Sequence, residues 1–194
     1  MKNAPLVLAS ASPRRLDLLR QIGVEPNAVV PADVDEAPRP RELPRALAQR
    51  LAAAKALAVA ASYPDALVLG ADTVVACGRR ALPKTETEAE AAACLDLLSG
   101  RGHRVLGGVA LVLPGGRTLE RVVETAVAFK RLDRRERQAY LASGEWRGKA
   151  GGYAIQGLAA ALIRRVNGSY SNVVGLPLFE TTALLQGAGW RVFA

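Results

Sequence analysis

The chain has 194 residues, half of them hydrophobic and 23% charged, with a formal net charge of +8 and a sequence pI of about 10.1. These values exclude a disordered chain, allow a real core in a single domain over 1–194, and favour an anionic partner. Aromatic residues are 5% and the basic ones are scattered, which disfavours nucleic acid on a platform of stacking rings and favours a small phosphorylated ligand.

Cys77 and Cys94 lie in unlike contexts without C-x-x-C spacing, the pattern of free thiols in a reducing cytosol. The first apolar run is too short for a signal peptide, and no stretch approaches ~18 uninterrupted apolar residues. The expectation is a soluble cytoplasmic protein with no membrane partner.

Leu6 to Ala9 is an apolar run without a polar face, the pattern of a buried strand. Ser12 and Pro13 then open a helix with Leu16, Leu18, Leu19 and Ile22 at helical spacing, which Gly23 stops. Arg14 and Arg15 fall in its first turn, where the helix dipole is positive and cations are disfavoured. An anion on the free amides, near Ser10 and Ser12, would reverse that conflict; two solvated surface arginines is the plainer alternative.

Val24 to Ala32 reads as extended, leading through the carboxylates of Asp33-Val34-Asp35-Glu36 into a Pro- and Arg-rich loop, Ala37 to Pro44. Leu43 to Ser62 is a long alanine-rich helix with Lys55 near the edge of its apolar stripe. A second buried strand, Ala66 to Leu69, runs into Gly70 to Ala76 with an interruption expected at Gly70. Cys77 to Arg80 is a turn, Lys84 sits between Pro83 and Thr85, and a helix is expected over Glu86 to Leu98 with Thr85 as cap. Val105 to Leu113 and Thr118 to Phe129 form a hairpin around Pro114-Gly115-Gly116. A charged helix over Asp133 to Ala142 closes at Gly144, and the glycine-rich Lys149 to Gly157 allows close backbone approach. A strand over Ala159 to Val166, a final helix from Pro177 to about Leu185 and a closing strand at Trp190 to Phe193 complete the reading. Alternating strands and helices with a long central hairpin predict an α/β fold with a mixed sheet and two lobes around a cleft.

Asp72 follows a buried strand and a glycine, which places it at the carboxyl end of that strand, where open α/β sheets bind ligands. Glu36 could join it around a Mg²⁺-type ion, since hard cations take a few carboxylates plus phosphate oxygens. Lys55 and Lys84 with Arg14 and Arg15 complete a set suited to phosphoryl chemistry, each being an ordinary surface residue when read alone. His103 is the single histidine, which removes Ser–His and Cys–His pairs and a multi-histidine zinc site, and it reads as structural.

Ser10 to Arg15 (SASPRR), Gly70 to Val75 (GADTVV), Leu98 to His103, Tyr153 to Gly157 (YAIQG) and Gly168 to Leu178 (GSYSNVVGLPL) occur in an order and over a span that resemble the Maf family of nucleoside triphosphate pyrophosphatases. The resemblance implies the inosine-triphosphatase-like (Maf/Ham1) fold: a mixed twisted sheet flanked by helices. It implies a hydrolase that cleaves a nucleoside triphosphate to the monophosphate and pyrophosphate with a divalent cation; on the residue reading above, that cation would be Mg²⁺ or Mn²⁺ held by Glu36 and Asp72. The family's proton-accepting aspartate falls on Asp72. Its other polar residues fall on Ser10, Arg14, Glu36, Lys55 and Lys84, and positions separating its subgroups by substrate fall on Arg14, Thr73 and Gln156. This combination resembles the subgroup acting on dTTP and UTP. Three departures stand out: Leu82-Pro83-Lys84-Thr85 replaces L-G-K-P, Gly148 replaces an aspartate before K-A-G, and a mid-strand threonine is lost in Gly107-Gly108-Val109.

On this reading water, activated by Asp72, attacks the α-phosphorus. Lys55, Lys84 and Arg14 offset phosphate charge, Ser10 and Ser12 line the anion site, Arg15 supports it, and Gln156 reads the pyrimidine edge. The rivals are a non-catalytic nucleotide- or nucleic-acid-binding regulator of cell division, and the same enzyme class acting on a modified or purine nucleotide. Oligomeric state is not legible, a homodimer being compatible with the sequence.

Overall fold

The computed structural model describes residues 4–192. Its elements run β1 (Leu6–Ala9), α1 (Pro13–Gln21), β2 (Ala28–Val29), α2 (Pro44–Ala60), β3 (Leu67–Cys77), β4 (Arg80–Leu82), β5 (Lys84–Thr85), α3 (Glu88–Leu98), β6 (Gly102–Val112), β7 (Thr118–Phe129), α4 (Arg134–Ser143), β8 (Lys149–Ala150), a 3₁₀ turn at Leu158–Leu162, β9 (Ile163–Asn167), α5 (Tyr170–Val174) and α6 (Leu178–Gly187). The main sheet has the order β2-β1-β3-β6-β7-β9, with β4 also on β3, while β5 and β8 form a separate antiparallel pair. β1 is parallel to β2 and β3, and the β3-β6-β7-β9 run is antiparallel. The expected mixed α/β sheet is therefore observed.

Side-chain alternation along the strands sorts the core onto two faces. Val7, Ala9, Val68, Ala110 and Val112 pack with Ala52, Ala56 and Val59 of α2. Leu6, Leu8, Leu67, Leu69, Val109 and Leu111 pack on the opposite face with residues of α1, α3 and α6. β1 can be apolar at every position because both of its faces are covered.

The alanines of α2 serve a close approach. A Cβ on Gly70 would lie 2.5 Å from the Ala52 carbonyl oxygen, and one on Gly108 would lie 2.1 Å from that of Ala48. Gly70 accordingly does not interrupt the strand, as its sequence context suggested; β3 runs unbroken, and the glycine is where the helix backbone rests on it. The departure at Gly107-Gly108 has the same kind of origin, since a Cβ on Gly107 would meet Asn172 Oδ1 at 1.8 Å.

Three other expectations are corrected. The cap of α3 is Thr87, which closes a capping box with Glu90; Thr85 is buried in β5, where its hydroxyl donates to the Trp146 carbonyl at 2.7 Å. Both threonines have a glutamate three residues on, and tertiary burial decides between them. The strand expected over Ala159 to Val166 begins as the 3₁₀ turn and becomes β9 only at Ile163. Trp190 to Val192 form no strand, and Phe193 lies outside the described residues. The short α5, unforeseen in the sequence, is capped by the Ser169 hydroxyl, which accepts from the Asn172 amide.

Candidate active site

β6 pairs with one edge of β3 from Val68 to Ala76. The other edge is shared: β1 covers it from Leu67 to Gly70, and β4 covers it from Val75 to Cys77. Between them, Ala71 to Val74 face no strand, so the sheet forks. Asp72 therefore sits inside β3 rather than at the carboxyl end of that strand, but two residues beyond the end of its parallel pairing with β1. The ligand-binding logic of a parallel sheet survives at that boundary.

A cavity of about 410 Å³ opens at the fork, and all ten residues singled out in the sequence line it: Ser10, Ser12, Arg14, Arg15, Glu36, Lys55, Asp72, Thr73, Lys84 and Gln156. Glu86 and Lys149 line it as well. Lys149 was missed; its one signal was its place at the head of the glycine-rich stretch. Five cations thus face three carboxylates.

Four of these charges form one chain. Lys55, buried on α2, places its ammonium 2.6 Å from Asp72 Oδ1 and 2.5 Å from Glu36 Oε1. The other oxygen of Glu36 pairs with Lys84 from β5. Burial pushes the Glu36 carboxyl up, but the two lysines outweigh it and hold it at about 2, against an ordinary 4.5. The altered turn before Lys84 is secured by the β5–β8 pair and by the Gly151 amide, which donates to the Pro83 carbonyl at 2.9 Å.

The wall opposite is built from α1 and α5. Arg15 donates to the Gly175 carbonyl at 2.9 Å and the Ser10 hydroxyl at 3.1 Å, with Thr73 Oγ1 at 3.4 Å. Burial lowers its pKa, and the carbonyl at the end of α5 is the natural seat for its cation. Arg14 reaches the Val174 carbonyl from Nε alone, at 3.4 Å. In the first turn of α1 the Ser12 amide is taken by Ser10 Oγ, the Arg15 amide turns back to the Ser12 carbonyl, and Pro13 has none. The Arg14 amide remains for a ligand, fewer donors than the helix start suggested. Ser12 stands at the cap position without a side-chain cap bond.

Gln156 is exposed at the cavity. The segment leading to it is pinned from behind: Tyr153 Oη pairs with His103 Nε2 at 2.7 Å, and the Ala154 amide donates to Tyr140 Oη at 3.1 Å. His103, Phe129 and Tyr153 form an edge-on cluster with centroids 5.0 to 5.4 Å apart, in keeping with a structural histidine.

A forked α/β sheet whose gap is ringed by cations in excess of carboxylates is built to take a polyanion. The chain belongs to the Maf family: the family model, described as Maf-like protein, matches residues 5–188. Among its relatives, the dTTP/UTP pyrophosphatase of Paramagnetospirillum magneticum (strain ATCC 700264 / AMB-1) is 66% identical and covers 96% of this chain and 98% of its own. That of Rhodospirillum rubrum is 64% identical, covering 97% and 90%, and that of Caulobacter vibrioides is 63% identical, covering 96% of each. Among solved structures, the Ham1 protein of Staphylococcus aureus has a TM-score of 0.48 and 15% identity, over 64% of this chain and 71% of that one. Among the described residues, no helix is long and apolar enough to cross a membrane.

Proposed function

We propose that this protein is a nucleoside triphosphate pyrophosphatase that hydrolyses dTTP and UTP to the monophosphate and pyrophosphate. The observation that carries the reading is the Asp72–Lys55–Glu36–Lys84 chain of charges at the floor of a cation-rich cleft. The activity named for relatives 63 to 66% identical over nearly the whole chain supports it.

Asp72 takes the proton of a water that attacks the α-phosphorus, and the bond from that phosphorus to the bridging oxygen breaks. Lys84 and Arg14, each with donors to spare, receive the phosphate oxygens and the departing pyrophosphate. Arg15 is spoken for by Gly175 and Ser10 and keeps the wall in place. Ser10 and Ser12 border the phosphates. Thr73, next to Arg15, and Gln156 face the nucleoside, where an amide can both donate to a pyrimidine carbonyl and accept from its N–H.

The residues fit a divalent cation that arrives with the substrate. No group of three or more His, Cys, Asp or Glu side chains gathers as a closed cage among the described residues, but Mg²⁺ or Mn²⁺ needs only one or two carboxylates beside phosphate oxygens. Glu36 and Asp72 would hold it. When bound, the cation offsets charge developing on the phosphates. A cytoplasmic site of action belongs to the same reading, supported by the free thiols of Cys77 and Cys94.

The test is a panel of nucleoside triphosphates at equal concentration with Mg²⁺, scored by pyrophosphate release. Preference for dTTP and UTP is the expected result. Preference for a purine or modified nucleotide overturns the substrate. No release from any, with salt-sensitive DNA binding, overturns the enzyme in favour of a regulator.

A further inference from the structure

Glu36 comes from a segment, residues 30–43, that has neither helix nor strand. Its carboxylate is held by Lys55 and Lys84, the groups that a triphosphate would itself attract. Something else must keep Glu36 in the cleft once phosphates compete for those lysines. Arg50, five residues before Lys55 on α2, is the side chain that can.

Its guanidinium grips Glu42 with both arms, Nε to Oε1 at 2.7 Å and Nη2 to Oε2 at 2.8 Å, and Nη2 also donates to the Ala37 carbonyl at 3.0 Å. Ala37 is the residue after Glu36. Glu42 in turn accepts the Arg39 amide at 2.9 Å, and its own amide donates to the Arg39 carbonyl at 3.0 Å. The tight turn between them has Pro40 at its second position and Arg41 at φ 60 in its third, a left-handed conformation that such a turn calls for and that a non-glycine residue adopts at a cost. Only 19% of the Arg50 side chain and 8% of the Glu42 side chain are exposed, so the pair is partly shielded from the screening that weakens surface pairs. Arg50 does not line the cavity.

We propose that Arg50 is a positioning residue: it clamps the segment on both sides of the Pro38–Arg41 bend and so keeps Glu36 at the reaction site while substrate occupies Lys55 and Lys84. The inference rests on the triphosphate reading of the cleft. The planar fork takes both oxygens of Glu42 with parallel bonds and still reaches the Ala37 carbonyl, a two-armed grip that the single nitrogen of a lysine does not reproduce.

Two measurements on the full chain test it. Amide hydrogen exchange over residues 33–43 should quicken in Arg50→Met while β3 and β6 keep their protection. In pyrophosphate release, Arg50→Met should lose about tenfold to a hundredfold in kcat/KM, the scale of a displaced catalytic group, with Arg50→Lys recovering only part. In a Glu36→Gln background the same substitution should cost less than about twofold, because coupled residues are not additive. Unchanged exchange in the segment, or an equal loss in both backgrounds, overturns the clamp. If Arg50→Met does not fold, Glu42→Gln loosens the grip from the other side and takes its place. If the wild type cleaves no triphosphate, the functional reading fails, and the exchange comparison alone decides the clamp.

Discussion

The Lys55 ammonium and Asp72 Oδ1 lie 2.6 Å apart, with 8% and 6% of the two side chains exposed. Lys55 also bonds Glu36, so one cation keeps two carboxylates together. Removing it should leave a buried negative charge without a partner, a change that costs about 3–5 kcal/mol. Lys55→Met is expected to lower unfolding stability on that scale, and Lys55→Met with Asp72→Asn to regain most of it. Urea denaturation of the two variants checks this; equal stabilities would show that the pair contributes no such charge balance.

Asp72→Asn preserves shape and an acceptor for Lys55 while removing the base. Pyrophosphate release from dTTP should fall about 10²- to 10⁴-fold, the usual contribution of a positioned general base, with little change in melting temperature. Wild-type turnover in this variant would exclude Asp72 as the base.

Gly70→Ala and Gly108→Ala should each cost about 1–3 kcal/mol, the range for overpacking, because the added methyl meets helix backbone at 2.5 and 2.1 Å. Since α2 also carries Lys55, activity should fall beyond what the stability loss explains. Parallel melting and turnover measurements separate the two effects.

Burial depresses the His103 imidazole from 6.5 to about 4. The unfolded chain binds the proton first, so this contribution to stability is complete above 6.5 and is lost as pH falls through the window down to about 4, by roughly 3 kcal/mol in all. Glu36 and Glu42, held at about 2 against 4.5, have the same sign: they stabilise above 4.5, and that part is lost as pH falls towards 2. Denaturant midpoints at pH 7 and 5 should differ in the wild type and much less in His103→Phe. A wild-type midpoint unchanged between those values would contradict the first step.

Arg14, Arg15, Lys55 and Asp72 were legible because their types conflict with local rules: two arginines at a helix start, a lysine beside an apolar stripe, a carboxylate after a buried strand; Thr73 and Gln156 carry no such conflict and were reached only through the family resemblance. Each such conflict resolves only through a distant partner. What stayed hidden depends on tertiary contact alone. Thr85 and Thr87 offer the same capping pattern, and only the burial of Thr85 against Trp146 selects the second. Gly70 looks like a break until a helix backbone is laid on it. Arg50 has no local signature, since its partners Ala37 and Glu42 lie 13 and 8 residues back along an irregular segment.

Arg15 is seated on the carbonyl of Gly175, 160 residues further along the chain. During synthesis the strand and lysines that flank Asp72 are in hand well before that carbonyl exists, so a growing or shortened chain can own its base and still lack a fixed arginine wall. The contact waits on β9, the last strand in the chain among the described residues, which leads directly into α5. Competence at the fork is therefore acquired late, and damage near the carboxyl terminus reaches the first helix without touching it.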